Sequence, residues 1–214
     1  MNLFNENISW KEELHPILKK YHHRKHPLKY HNLYQLIVMV ILSAQDSDNN
    51  INDIAPDLFR AFPNMKSIAD ATKKELIPYL SGVKYHDTKI NWLLEIAKEI
   101  KTEENIPLTM NALTSLKGIG RKSANVILRE AGLDAEGIIT DLHVIRVAPR
   151  IGLITATKNG LKAEKELMAI LPKESWNEAG MAISFLGREI CRPKPKCPEC
   201  PILKVCQYPF KNIR

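Results

Sequence analysis

The sequence predicts an all-α protein. Apolar residues recur at helical spacing along nearly the whole chain, and no segment shows the sustained alternation with hairpin turns that a sheet requires. Helix punctuation agrees with this: Thr72 with Glu75 and Ser175 with Glu178 read as capping boxes, while Gly82 and Gly132 read as stops.

Taken in chain order, Leu33, Leu36, Ile37, Val40, Ile41 and Ala44 share one face, and Val38 and Met39 extend it. That pattern predicts a central helix buried on all sides. Ile51, Ile54, Ala55, Leu58, Phe59 and Phe62 repeat it, with Pro56 expected to kink or begin the helix. Ile90, Leu93, Leu94 and Ala97 form the next stripe, and Ala124, Ile127, Leu128 and Ala131 another. The last has Trp176, Ala179, Gly180, Ile183, Gly187 and Ile190 on its face. About ten helices are expected, with no repeats and no obvious linker.

The 214 residues suffice for one large domain or two small ones, and a hydrophobic fraction of 44% excludes a disordered chain. With 31 Lys+Arg against 24 Asp+Glu the formal charge is +7, which suits a polyanionic partner. The N-terminus, MNLFNENISWKEELH, carries acids and amides where a signal peptide needs a basic start and an apolar run. The longest apolar stretch, Leu36–Leu42, is seven residues, too short to span a bilayer. The expectation is a soluble, cytoplasmic protein. The segment KKYHHRKHPLKYH, residues 19–31, reads as a solvated connection or as a phosphate-contacting surface.

All four cysteines lie near the C-terminus, as Cys191, Cys197, Cys200 and Cys206 in a C-x5-C-x2-C-x5-C array. Disulfides are disfavoured without a secretory signal, so four thiolates this close point to a metal centre. Only Cys197 and Cys200 have the spacing of a zinc knuckle; the wider arms suit a bulkier [4Fe-4S] cluster better, with zinc as the alternative. Arg192, Lys194 and Lys196 sit among the prolines of this array, either to meet a phosphate backbone or to keep an exposed loop soluble.

One stretch remains, KGIGRKSANVIL at residues 117–128. Gly118, Ile119 and Gly120 between two helical patterns read as a helix-hairpin-helix, whose glycines admit positive φ and leave N–H groups free to cradle a phosphate. Such a contact positions a protein on DNA without reading bases. An ordinary tight turn is the other reading.

LSAQDSDNNIN at 42–52, LKGIGRKSANVIL at 116–128, TDLHVIRV at 140–147 and the four-cysteine tail, in that order along the chain, resemble the endonuclease III family of the helix-hairpin-helix (HhH-GPD) DNA glycosylase superfamily. The resemblance runs from about residue 25 to the end. It implies a six-helix barrel domain with the hairpin over 25–135, and a second helical domain from 1–24 and 136–214 carrying the iron–sulfur cluster loop, with DNA across the cleft between them. It also implies double-stranded DNA bearing damaged bases or abasic sites as substrate, a monomer, and a place near the nucleoid of a bacterium or archaeon.

In that family Lys122 is the nucleophile that attacks C1′ of a damaged nucleotide, and Asp141 stabilises the positive charge developing on the sugar. An amine attacks only when neutral, so the lysine must be deprotonated, with Arg121 and a helix N-terminus as contributing neighbours. Asp141 is also a good N-cap, and the two roles are compatible. Gln45 is the expected side chain to fill the void left by a flipped base, with Val83 or Tyr85 from SGVKYHDTK, residues 81–89, as a second wedge. Asp48 and Asn52 are expected in support, Asp48 as a cap or in ordering the pocket.

Four departures from the family form leave the lesion preference open. Thr140-Asp141-Leu142-His143 stands where V-D-T-H is usual, the array begins C-x5-C rather than C-x6-C, the wedge loop is longer, and the Lys122–Asp141 interval is extended by about one residue. Oxidised pyrimidines are the expected lesion class. Adenine-mismatch glycosylases are disfavoured by Gln45 and Lys122, and a non-catalytic DNA-binding paralogue by the presence of both Lys122 and Asp141.

Overall fold

A computed structural model describes residues 8–213. Among them are twelve α-helices, three short 3-10 turns and no strand, the all-α class the periodicity predicts. The chain divides into two compact units, one formed by Lys25–Leu133 and the other by the N-terminal segment up to Arg24 with the chain from Asp134 on.

The Lys25–Leu133 unit is built around α3 (Leu33–Leu42). From Leu36 to Leu42 no residue is more than 2% exposed, so the helix is a core on every side. Asn32 caps it by accepting from the Gln35 N–H at 2.9 Å. Around it lie α4 (Asp48–Ala61), α5 (Met65–Ala69), α6 (Lys73–Leu80), α7 (His86–Ile100), α8 (Met110–Ser115) and α9 (Arg121–Glu130), with α7 and α9 both against α3. The predicted box at Thr72 forms: the Glu75 carboxylate accepts from the Thr72 N–H at 2.7 Å.

Pro56 does not begin α4 but lies inside it. The start is fixed earlier by Ser47, whose Oγ accepts from the Asn50 N–H at 3.1 Å; the cap is therefore Ser47 rather than Asp48, the helix's first residue. Asn52 ties down the basic segment instead, accepting from Lys29 N–H at 2.8 Å and donating to the Pro27 carbonyl at 3.0 Å.

The other unit contains α1 (Trp10–Glu13), α2 (His15–Tyr21), α10 (Leu142–Ile151), α11 (Gly160–Ile170) and α12 (Trp176–Glu189). Its main packing is α12 against α10 and α2. Ser175 does not form the predicted capping box with Glu178. A 3-10 turn, Lys173–Ser175, runs straight into α12, so Ser175 has helical φ and ψ, and its hydroxyl donates to the Pro172 carbonyl at 2.8 Å. No helix among the described residues is long and apolar enough to cross a membrane.

Candidate nucleic-acid and cluster sites

The hairpin joins α8 to α9, and its two glycines do different work. Gly118 has φ +81°, and a Cβ there would lie 2.5 Å from the Trp92 ring of α7, so both the backbone and the packing demand glycine. Gly120 has an extended backbone, φ −91° and ψ 175°, and a Cβ there would meet nothing within 4 Å. The expectation of two positive-φ glycines is therefore half right. Ile119 is buried, and its N–H is used inside the turn, donating to Leu116 O at 3.2 Å. Among the described residues the Gly118 and Gly120 N–H groups meet no acceptor. They precede α9, whose first-turn amides have no intrahelical partners, so the turn and the helix end together suit an anion.

Gly118→Ala is expected to destabilise the fold by about 1–2 kcal/mol from the φ term alone, before the collision with Trp92. Gly120→Ala puts no strain on the backbone; it should cost about 0.5–1 kcal/mol, for the poorer N-cap of α9, and act mainly on duplex affinity. Thermal denaturation and duplex titration of the two variants separate the effects.

Arg121 and Lys122 are the first two residues of α9, both half-buried. The same unit holds two loops that carry the other DNA-facing candidates. Gln45 lies between α3 and α4 with φ +59°, and Tyr85 lies before α7 with φ +56°. A non-glycine residue there costs about 1–2 kcal/mol, so each loop is held by its surroundings. Gln45 is exposed and Tyr85 is 64% exposed, whereas Val83 is 2% exposed and part of the core. Of the two wedge candidates only Tyr85 presents its side chain to solvent. The stretch outside helices is also shorter than 81–89, because α7 begins at His86.

Asp141 caps α10. Its Oδ1 accepts from the His143 and Val144 N–H groups, both at 2.9 Å, and its Oδ2 accepts from Ser184 Oγ at 2.6 Å, with Arg188 Nη2 at 3.5 Å. Burial pushes this carboxyl up, but the Ser184 hydroxyl, the helix amides and the nearby cations outweigh it and hold Asp141 below its ordinary range. Sequence reasoning missed Ser184 and Arg188, neighbours one turn apart on α12.

Small residues let α12 come this close: a Cβ on Gly180 would lie 2.4 Å from Ile139 O, and one on Gly187 would lie 2.9 Å from His143 Cβ. Arg146 completes the join, donating to Gly187 O at 3.0 Å and Cys191 O at 3.3 Å. Leu142, at the first position of α10 beside Asp141, is 80% exposed.

The four cysteines line one pocket, with Ile151, Leu186, Ile190 and Leu203 among its walls. None is in a disulfide, and Cys191 and Cys197 are buried. Hydrogen-bond donors already face the sulfurs: Asn212 N–H is 3.3 Å from Cys197 Sγ, and Arg150 Nη1 is 3.8 Å from Cys191 Sγ. Burial pushes the Cys200 thiol up to about 11, against the Ile202 N–H that bonds it, and also raises Cys206. Thiols so placed ionise only beside a strong positive charge, which a metal centre supplies. Among the described residues no three His, Cys, Asp or Glu groups are arranged for a single metal ion. Four thiolate donors around one pocket are a ligand set for a metal centre.

Arg192, Lys194 and Lys196 are exposed on the loop between the first two cysteines. Arg192 Nε donates to Arg188 O at 2.9 Å, and Lys196 pairs with Glu199 at 3.6 Å.

The family model described as HhH-GPD superfamily base excision DNA repair protein matches residues 38–173. Endonuclease III of Synechocystis sp. is 32% identical over 182 residues, 84% of this chain and 83% of that protein. A non-covalent endonuclease III–DNA complex superposes with a TM-score of 0.80 at 30% identity, covering 89% of this chain and 90% of that one. A trapped endonuclease III–DNA covalent intermediate, an estranged-adenine complex, gives a TM-score of 0.82 at 29% identity, covering 92% and 93%.

Proposed function

Since the chain belongs to the HhH-GPD superfamily of base excision DNA repair proteins, we propose that it is a bifunctional DNA glycosylase and abasic-site lyase acting on damaged duplex DNA. The observation that carries the reading is the match over most of the chain to endonuclease III, including a form trapped covalently on DNA. An open hairpin before α9, with a lysine at the helix's second position, is what phosphate docking followed by amine attack needs.

In this reading the Lys122 amine, as the free base, attacks C1′. The C1′–N bond breaks, its electrons leave with the base, and the base takes up a proton. Loss of the amine proton and opening of the sugar ring give a Schiff base between Lys122 and C1′. Removal of the C2′ proton then expels the 3′ phosphate by β-elimination, which nicks the strand. Asp141, kept ionised by Ser184 and the α10 amides, faces positive charge as it develops on the sugar and assists the proton transfers. Gln45 and Tyr85 fill the space the extruded nucleotide leaves. Oxidised pyrimidines are the lesion class.

Cys191, Cys197, Cys200 and Cys206 would hold a [4Fe-4S] cluster. Its task is structural, fixing the loop that presents Arg192, Lys194 and Lys196 to phosphates. The purified protein should be brown with about four irons per chain; a colourless protein with one zinc would contradict this assignment. The activity itself is tested with duplexes carrying one thymine glycol or none. The expected result is release of the damaged base and a nick at its position only in the first; a protein that binds both duplexes and cuts neither would be a non-catalytic binder.

A further inference from the structure

A carboxylate joins the loops carrying Gln45 and Tyr85. Asp46, the residue after Gln45, accepts at Oδ2 from the backbone N–H of Lys84, the residue before Tyr85, at 2.8 Å. Its Oδ1 accepts from the Ser47 N–H at 2.8 Å and from Asn50 Nδ2 at 3.1 Å, and Asn50 Nδ2 also reaches across to Gly82 O at 3.2 Å. Beneath them Lys89, 2% exposed on α7, donates from Nζ to Leu42 O at 2.7 Å, binding the end of α3 to the start of α7.

These bonds are not required to start a helix. Ser47 already caps α4, and Asp46 lies outside it. While Oδ1 braces the start of α4, Oδ2 goes to a segment 38 residues away. The two loops share a second feature. Each carries a non-glycine residue in the left-handed region, and in each that residue is an exposed side chain adjacent to the bond: Gln45 before Asp46, and Tyr85 after Lys84. A left-handed residue persists only where its surroundings over-determine it, and here the surroundings of each loop include the other.

We propose that Asp46 is a positioning residue, which locks the Gln45 and Tyr85 loops into one preset element so that both side chains meet the duplex in a fixed relation during base extrusion. The proposal rests on the glycosylase reading above. A duplex must be opened against its stacking, and two probes that move independently would each lose orientation that a joined pair keeps.

The test is a double-mutant cycle on single-turnover base release from a thymine glycol duplex, with hydrogen exchange at the Lys84 amide as a readout independent of DNA. The expected result is that Asp46→Ala deprotects Lys84 and slows base release about tenfold, whereas in a Tyr85→Ala background the same change costs less than about twofold. Asp46→Asn keeps the volume and one acceptor oxygen, and serves if the alanine variant does not fold. Unchanged exchange at Lys84 would overturn the proposal, and so would faster exchange with undiminished base release, or losses from Asp46→Ala and Tyr85→Ala that simply multiply. Wild-type protein with a protected Lys84 amide and no base release from any lesion would instead overturn the glycosylase reading, and the positioning role with it.

Discussion

Lys122→Ala is expected to abolish base release and strand nicking while leaving lesion-bearing duplex bound. The loss should be on the order of 10³-fold or more in single-turnover rate, because no neighbouring side chain replaces a missing nucleophile and the remaining groups only bind and polarise. Folding should be nearly unaffected. Lys122 lies at the second position of α9, half-buried, and the helix is held by its apolar face of Ala124, Ile127 and Leu128 rather than by its first turn. Affinity should fall by much less than the rate, since the Gly118 and Gly120 amides remain. A variant that still releases base at an appreciable rate would remove Lys122 from the chemistry and point to an activated water.

Asp141→Asn should lower the rate of base release by about 10²–10⁴-fold, the range for a group that stabilises charge and moves a proton. Its signature lies in the pH dependence of stability. The Asp141 carboxyl ionises below its ordinary 3.8 in the folded protein, so its ionised form stabilises the fold above that value. That contribution is lost as pH falls through the lower, folded value. The melting-temperature gap between wild type and Asp141→Asn should therefore be widest near neutral pH and close in acid. A gap that widens on acidification would mean the carboxyl is destabilised in the fold, contrary to the bonds from Ser184, His143 and Val144.

Much of this architecture is legible in the sequence, and the exceptions have identifiable causes. Helix α3 reads correctly because seven consecutive apolar residues can be accommodated only in a core. Asp141 reads as a cap because its carboxylate bonds are local, two and three residues ahead. The capping box at Thr72 succeeds and that at Ser175 fails for one reason: Thr72 has an extended backbone, φ −93° and ψ 158°, whereas the 3-10 turn before Ser175 leaves it already helical. Helices α1 and α5, of four and five residues, are too short for a period to show.

What escaped detection depends on segments distant in sequence. Ser184 sits 43 residues from the carboxylate it bonds, on a helix face that otherwise reads as apolar. The available signal was the run Gly180, Ser184 and Gly187, small residues at helical spacing that mark close approach of another backbone. Val83 lies in the segment expected to carry the second wedge, yet its side chain turns into the core. The bond from Lys84 to Asp46 has no sequence signature at all, since nothing local relates a turn after α6 to a turn after α3.

The most direct test of the central claim is borohydride reduction of the wild-type protein on a duplex bearing thymine glycol or an abasic site, followed by proteolysis and mass mapping of the cross-linked peptide. The account predicts a lesion-dependent adduct in which the sugar remnant is carried by the Nζ of Lys122. An adduct on another lysine, or efficient base release with no adduct on either substrate, would contradict it.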